Sequence, residues 1–174
     1  KFDRVSVGFP GVVRRGVTVT APNLDGNWRN FKLAEALSKK LGKPVRVAND
    51  ADVQGFGAIK GRGVELVVTL GTGFGSALFL DGRLVPNLEI AHHPLDKGQT
   101  YEEKLGDAAR KKIGKKKWNK RLLKAIATLD HAFNYDHLYI GGGNAKKIIL
   151  KLPARTRIVE NVAGLLGGIA LWRN

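Results

Sequence analysis

Glu65-Leu66-Val67-Val68-Thr69-Leu70-Gly71-Thr72-Gly73-Phe74-Gly75-Ser76-Ala77-Leu78-Phe79-Leu80 holds two apolar runs joined by a glycine-rich loop. Glu65 to Leu70 reads as a strand running into Gly71-Thr72-Gly73, and Ser76 to Leu80 as the next strand. Asp81-Gly82 follows as a hairpin turn signal. Glycines in such a loop let backbone N–H groups turn toward a ligand and let a phosphate approach closely, and the Thr72 hydroxyl adds a donor. No Gly-Lys-Ser/Thr follows, so the loop is not a Walker motif. A strand rather than a helix follows, so it is not a dinucleotide fingerprint either. By itself such a loop reads better as a tight hairpin.

Toward the N-terminus, Asp3 to Phe9 alternates apolar residues and stops at Pro10-Gly11, a strand and turn. Leu33, Leu37 and Leu41 share one face of a predicted helix that Gly42 and Pro44 end. Val45 to Ala48 is a strand, and Asn49-Asp50-Ala51-Asp52 opens a helix to about Lys60 with acids at its positive end. Toward the C-terminus, Tyr101–Lys112 and Trp118–Phe133 read as helices. Leu138 to Ile140 is a strand entering Gly141-Gly142-Gly143, and Ile158 and Val159 end a last strand. Asn161 then caps an apolar helix, Val162 to Trp172. Strands alternating with helices around one hairpin predict an α/β fold on a mixed sheet.

The 174 residues carry 30 Lys and Arg against 15 Asp and Glu, a formal charge of +15. A field of that sign attracts polyanions: nucleic acid, phosphate chains or an anionic membrane. The densest basic patch runs from Arg110 to Arg121 and includes Lys111, Lys115, Lys116 and Lys117. With no Cys there is no disulfide and no thiolate metal site. No apolar run approaches the ~20 residues that span a bilayer. Charges at Lys1, Asp3 and Arg4 lead straight into a strand, which is not a signal peptide and predicts residues missing before Lys1.

Three further places carry chemistry. Asp50 stands where a strand becomes a helix, either as a base for an attacking hydroxyl or as an ordinary N-cap. Glu89 and His92 are three apart and can hydrogen-bond neighbouring hydroxyls. His92 and His93 do not read as a metal pair. Ile140-Gly141-Gly142-Gly143-Asn144, at a strand end, leaves bare backbone where ligands of α/β sheets gather.

Taken in order, several stretches resemble the ROK family (repressors, open reading frames and kinases). They are Gly8-Phe9-Pro10-Gly11, Pro22-Asn23-Leu24, Asn49-Asp50-Ala51, Leu70 to Gly75, Glu89-Ile90-Ala91-His92 and Gly141-Gly142-Gly143. Within it, Leu95 to Glu102, Gly114 to Asn119 and Phe133 to Ala145 are most similar to the polyphosphate glucokinase branch. The resemblance implies the two-lobe, ribonuclease H-like fold of the actin-like ATPases. The first lobe would comprise 1–48 plus 161–174, and the second 49–160. It implies Asp50 as the base for the sugar 6-hydroxyl, with Asn23, Asn49, Glu89, His92 and Glu102 on the other hydroxyls. It further implies Gly71, Thr72 and Gly73 on the donor's terminal phosphates, with Gly142 and Gly143 beside the nucleotide or phosphate chain. Lys111, Lys115, Lys116 and Lys117 would form a polyphosphate track.

Glucose, ATP or inorganic polyphosphate, and Mg²⁺ would be the ligands. The cysteine cluster with which most of the family bind zinc is replaced here by Lys97 to Tyr101, so no zinc is expected. The setting would be cytoplasmic and the assembly a homodimer. The family's opening Asp-x-Gly-Gly-Thr segment does not occur, so the expected first lobe is N-terminally incomplete, with an unpaired sheet edge or an apolar groove. Its absence leaves open a non-catalytic chain that binds sugar or polyphosphate. The charge leaves open a nucleic-acid-binding regulator, against which stands the lack of a helix-turn-helix segment.

Overall fold

The structure, a computed structural model, describes residues 1–21, 24–86 and 88–173. Along the chain lie β1 (Val5–Phe9), β2 (Val13–Arg14), β3 (Val17–Thr18), α1 (Leu33–Leu41), β4 (Val45–Asn49) and α2 (Asp50–Ala58). Then come β5 (Val64–Leu70), β6 (Phe74–Leu80), β7 (Arg83–Val85), β8 (Pro94–Asp96), β9 (Gln99–Thr100), α3 (Tyr101–Leu105), α4 (Asp107–Ile113) and α5 (Lys115–Phe133). Last are β10 (His137–Gly141), β11 (Thr156–Ile158) and α6 (Val162–Ala170), and short 3-10 turns occupy Ile90–His92 and Ala145–Lys147. The chain divides into two compact units, Lys1–Gly57 with Val162–Asn174, and Ala58–Asn161. The division falls inside α2 rather than at Ala48.

In the first unit β1 and β4 are parallel, paired from Val5↔Val45 to Phe9↔Asn49. Parallel neighbours need a crossover, which α1 supplies. Gly42 ends α1 in the left-handed region and donates its N–H to Ser38 O. Leu33 is buried at the start of the predicted stripe, but Leu41 at its end is exposed. Leu33 joins Phe9, Val45 and Val47 in the small core, with Trp28 packed on Phe9. The crossing of α2 and α6 needs glycine: a Cβ on Gly57 would strike the Ala163 carbonyl, and one on Gly167 that of Val53. The opposite side of α6 is apolar and open, with Leu165 75% and Ile169 60% exposed. Because the β1–β4 sheet has two strands among the described residues, an edge of β1 is unpaired. A groove of about 670 Å³ in this unit is lined by Arg4, Ser6, Gly8, Leu165, Ile169 and Trp172 among others.

The second unit is built on a five-stranded mixed sheet in the order β11-β10-β5-β6-β7. β5 runs parallel to β10 and antiparallel to β6, and the last pair, Leu70↔Phe74, leaves Gly71 to Gly73 as the turn. Asp81 and Gly82 both take positive φ in the β6–β7 turn, the mirror-image geometry that suits strand twist. Leu66, Val68 and Leu70 pack against Trp118, Leu122 and Leu129 of α5. The Trp118 Nε1–H donates to Leu105 O at 2.8 Å.

The predicted helix over 101–112 is two helices. Gly106 between them is extended (φ −61°, ψ 166°), and Asp107 N–H bonds to Gly71 O and Thr72 O. Docking on the glycine loop outweighs helix continuity there. α5 begins at Lys115 instead of Trp118, which brings the lysine run into its first turn, and α6 ends at Ala170 instead of Trp172. Among the described residues no helix is long and apolar enough to cross a membrane.

Glu65 is fully buried, yet accepts four hydrogen bonds: from the N–H groups of Lys60 (2.7 Å), Gly61 (2.7 Å) and Arg62 (3.1 Å), and from Tyr139 OH (2.8 Å). Burial, and then the Glu65 carboxylate, push the Tyr139 phenol pKa up. Glu65→Ala would leave these donors unpaired, and urea unfolding should show a loss of about 3 kcal/mol or more.

Candidate functional site

In the second unit the two glycine loops touch. The Asn144 side-chain amide donates to Gly71 O (3.1 Å) and to Asp107 Oδ1 (3.2 Å), while Asn144 N–H donates to Leu70 O (2.8 Å). Gly142 sits at φ +83°, and a Cβ there would collide with the Leu70 backbone. Glycine at 142 is therefore required by both conformation and contact. Gly143, one residue on, has open space around it. The result is a bare-backbone surface in which Gly71, Thr72, Gly73, Gly142 and Gly143 come together.

Asp107 anchors this surface from α4. Its carboxylate takes Lys111 Nζ at 2.8 Å and Arg110 at 2.7 Å. Those cations, Lys111 first, and the Asn144 amide hold the Asp107 carboxyl well below the usual carboxylate range. Sequence pattern alone does not bring Asn144, Gly106 and Asp107 together at this surface. The available signal was Gly106-Asp107 inside a helical pattern, a break followed by an acid suited to a helix start.

Glu102 stands at the same loop. Its Oε2 accepts from Phe74 N–H at 3.3 Å, and a Cβ on Gly73 would fall on its carboxylate. Glu89 precedes the 3-10 turn and His92 ends it, with Glu89 Oε2 and His92 Nε2 3.9 Å apart. Ser76 holds that segment to β6: its hydroxyl donates to Leu88 O (3.0 Å) and accepts from Ile90 N–H (3.4 Å). The buried Lys104 reaches Asp96 Oδ2 at 3.5 Å, and Lys124 takes Asp96 Oδ1 at 2.8 Å. This ion cluster ties the β8–β9 hairpin, where the resemblance placed a missing cysteine cluster, to α3 and α5. Lys115, Lys116 and Lys117 are exposed.

In the first unit Asn49 and Asp50 lie at the end of β4, beside Phe9 and Gly8 of β1. Asn49 Nδ2 donates to Gly11 O at 3.1 Å, and its Oδ1 accepts from Ala51 N–H at 2.8 Å. The side chain is thereby fixed from both ends. Asp50 Oδ1 also accepts from Ala51 N–H, at 2.9 Å. Although Asp50 keeps solvent-exposed surface, desolvation raises its carboxyl pKa, and the N–H of Ala51 opposes that shift. Asn23 lies outside the described residues.

A ROK family profile matches residues 1–94. The polyphosphate glucokinase of Mycobacterium tuberculosis is 33% identical over 94% of this chain, which spans 67% of that protein. The polyphosphate glucokinase of Mycobacterium leprae is 32% identical over 94% of this chain, which spans 55% of it. Among solved structures, the inorganic polyphosphate/ATP-glucomannokinase from Arthrobacter sp. strain KM superposes with a TM-score of 0.85 at 33% identity, covering 99% of this chain and 74% of that one. A ROK family glucokinase from Streptomyces griseus, in complex with glucose and AMPPNP, superposes at 0.79 with 19% identity over 99% of this chain and 82% of that one, a likeness of fold.

The two adjacent glycines give a direct test of the loop contact. Gly142→Ala should lower stability by about 1–3 kcal/mol, from its left-handed backbone and the Leu70 collision. Gly143→Ala should be near neutral, as denaturant midpoints of the pair would show.

Proposed function

The chain belongs to the ROK family, and we propose on that premise that it is the greater part of a glucokinase moving a phosphoryl group from inorganic polyphosphate or ATP to the 6-hydroxyl of glucose. The observation that carries this reading is the one-third identity to polyphosphate glucokinases, sustained over 94% of the chain and so reaching both units. Its fold is the α/β fold of the ROK sugar kinases, of the actin-like ATPase type.

In this reading Asp50 takes the proton from the 6-hydroxyl as the oxygen attacks the terminal phosphorus. The bridging O–P bond then breaks, leaving ADP or a phosphate chain one unit shorter. Asn49, clamped between Gly11 and Ala51, orients a neighbouring hydroxyl, and Asn23, Glu89, His92 and Glu102 hold the rest. The Gly71–Gly73 loop receives the terminal phosphates, with the Thr72 hydroxyl as a further donor. Gly142 and Gly143 flank the nucleotide or the chain. Among the described residues no group of three His, Cys, Asp or Glu stands close enough to hold a metal. Asp107, beside the loop, is engaged by Lys111 and Arg110. A Mg²⁺ would come with the donor phosphates and would offset their charge. In this reading the enzyme works in the cytoplasm as a homodimer, with no membrane or nucleic-acid partner.

A coupled assay for glucose 6-phosphate tests the activity. Asp50→Asn should reduce kcat by about 10²–10⁴ while glucose binding persists. A raised Asp50 pKa also moves the acid limb of kcat above the ordinary value of 3.8, because the base must be ionised. The linkage sign is the reverse of a salt-bridged carboxylate. Folding favours the protonated form, so the ionised group costs stability at neutral pH, and Asp50→Asn should leave the neutral-pH Tm unchanged or raised. Near-normal turnover in that variant would reject Asp50 as the base. Replacing Lys115, Lys116 and Lys117 with Ala should raise KM for polyphosphate more than for ATP. An equal rise for both would place the track elsewhere.

A further inference from the structure

We propose that the polyphosphate track continues beyond α5 onto Lys146 and Lys147, with the buried Asn119 as the residue that joins the two lysine groups. The proposal rests on the polyphosphate reading above and adds residues to it.

Asn119 is 1% exposed. Its side-chain amide donates to Lys115 O at 2.9 Å and to Lys147 O at 3.1 Å, across 28 residues of sequence. One nitrogen reaching both places those carbonyls within about 6 Å of each other. Its Oδ1 accepts from Ile149 N–H at 2.9 Å, so the 145–149 segment is tied to the start of α5 in two places. The same segment is fixed at its other end to the glycine loop. Lys147 N–H donates to Asn144 O at 2.9 Å, and Asn144 donates to Leu70 and Gly71. A continuous hydrogen-bonded scaffold therefore runs from the proposed terminal-phosphate loop to Lys146 and Lys147, and on to Lys115, Lys116 and Lys117.

Among the described residues, the lysines of this scaffold find no carboxylate partner. Lys111 and Arg110 are spent on Asp107, but Lys115, Lys116, Lys117, Lys146 and Lys147 form no ion pair among the described residues. The first turn of α5 holds no acid, and Gly114 offers no side-chain cap. Folding thus gathers like charges at a cost that a bound polyanion would offset. Trp118, the one aromatic residue within this lysine run, is fully buried and offers no face on which a base could stack. That favours a phosphate chain over single-stranded nucleic acid.

The test is titration calorimetry with long-chain polyphosphate, tripolyphosphate, ATP and single-stranded DNA. It compares wild type, Lys146→Ala/Lys147→Ala, and Arg62→Ala/Arg83→Ala, which removes equal charge at the far end of β5 and β6. The lysine variant should bind long-chain polyphosphate about 5–20-fold more weakly, with the log–log salt slope smaller by about one to two. Tripolyphosphate and ATP should change less than about twofold, as should every ligand with the arginine control. Asn119→Ala, with its fold checked by circular dichroism, should show the same long-chain defect with every lysine in place. The lysine variant decides the matter if that one does not fold. Equal loss in the arginine control, equal loss for ATP, or no loss would overturn the proposal. If wild type binds long-chain polyphosphate and the lysine variant binds it equally well, only the extension fails. If wild type binds DNA better than polyphosphate at moderate salt, the donor assignment fails with it.

Discussion

Gly71 carries a carbonyl oxygen that accepts from both the Asn144 side chain and the Asp107 backbone, each at 3.1 Å. Three segments distant in sequence meet at that atom: the β5–β6 turn, the start of α4 and the loop after β10. Their meeting depends on backbone approaching backbone, which a side chain at 142 would forbid. The break of helix at Gly106, the burial of Asn144 and the seating of Glu102 on Gly73 all follow from that contact. A surface made this way keeps its N–H groups in fixed directions, and fixed dipoles are what the proposed phosphoryl transfer would exploit.

The electrostatics show a division of labour between the two signs. Several acids are consumed by the fold. Glu65 takes four donors, Asp81 and Asp136 accept from Gly63 and Val64 N–H, and Asp107 and Asp130 hold arginines. Such carboxylates fix turns and strand ends in place of longer elements. The cations are more numerous and less engaged, and those around the first turn of α5 remain exposed. With a net charge of +15, the cations that no carboxylate engages leave a positive field at the surface.

Asp50 belongs to a different regime from Asp107. Both are carboxylates at the first position of a helix, yet their pKa values move in opposite directions. Asp107 is surrounded by cationic partners that favour its charge. Asp50 has desolvation and one backbone N–H pair to balance it. A carboxylate held by cations is structural, whereas one kept without a cation is available to accept a proton.

The sequence by itself determined the alternation of strands and helices, the Asp81-Gly82 turn, the Gly42 helix stop and the identity of the two glycine loops. Each is a local preference, set by backbone freedom or apolar periodicity over a few residues, and the ordered motifs carried the family. Local rules also erred where a distant partner prevailed: helix propensity from 101 to 112 gave way to the Gly71–Thr72 carbonyls at Gly106. Only the tertiary structure decided that Asn144 and Asp107 share the Gly71 carbonyl, that Lys104 is buried against Asp96, and that Asn119 joins Lys115 to Lys147. Those pairings span up to 73 residues, and no periodicity encodes them. They arise because packing one sheet face against α5 fixes which backbone groups must find partners away from water.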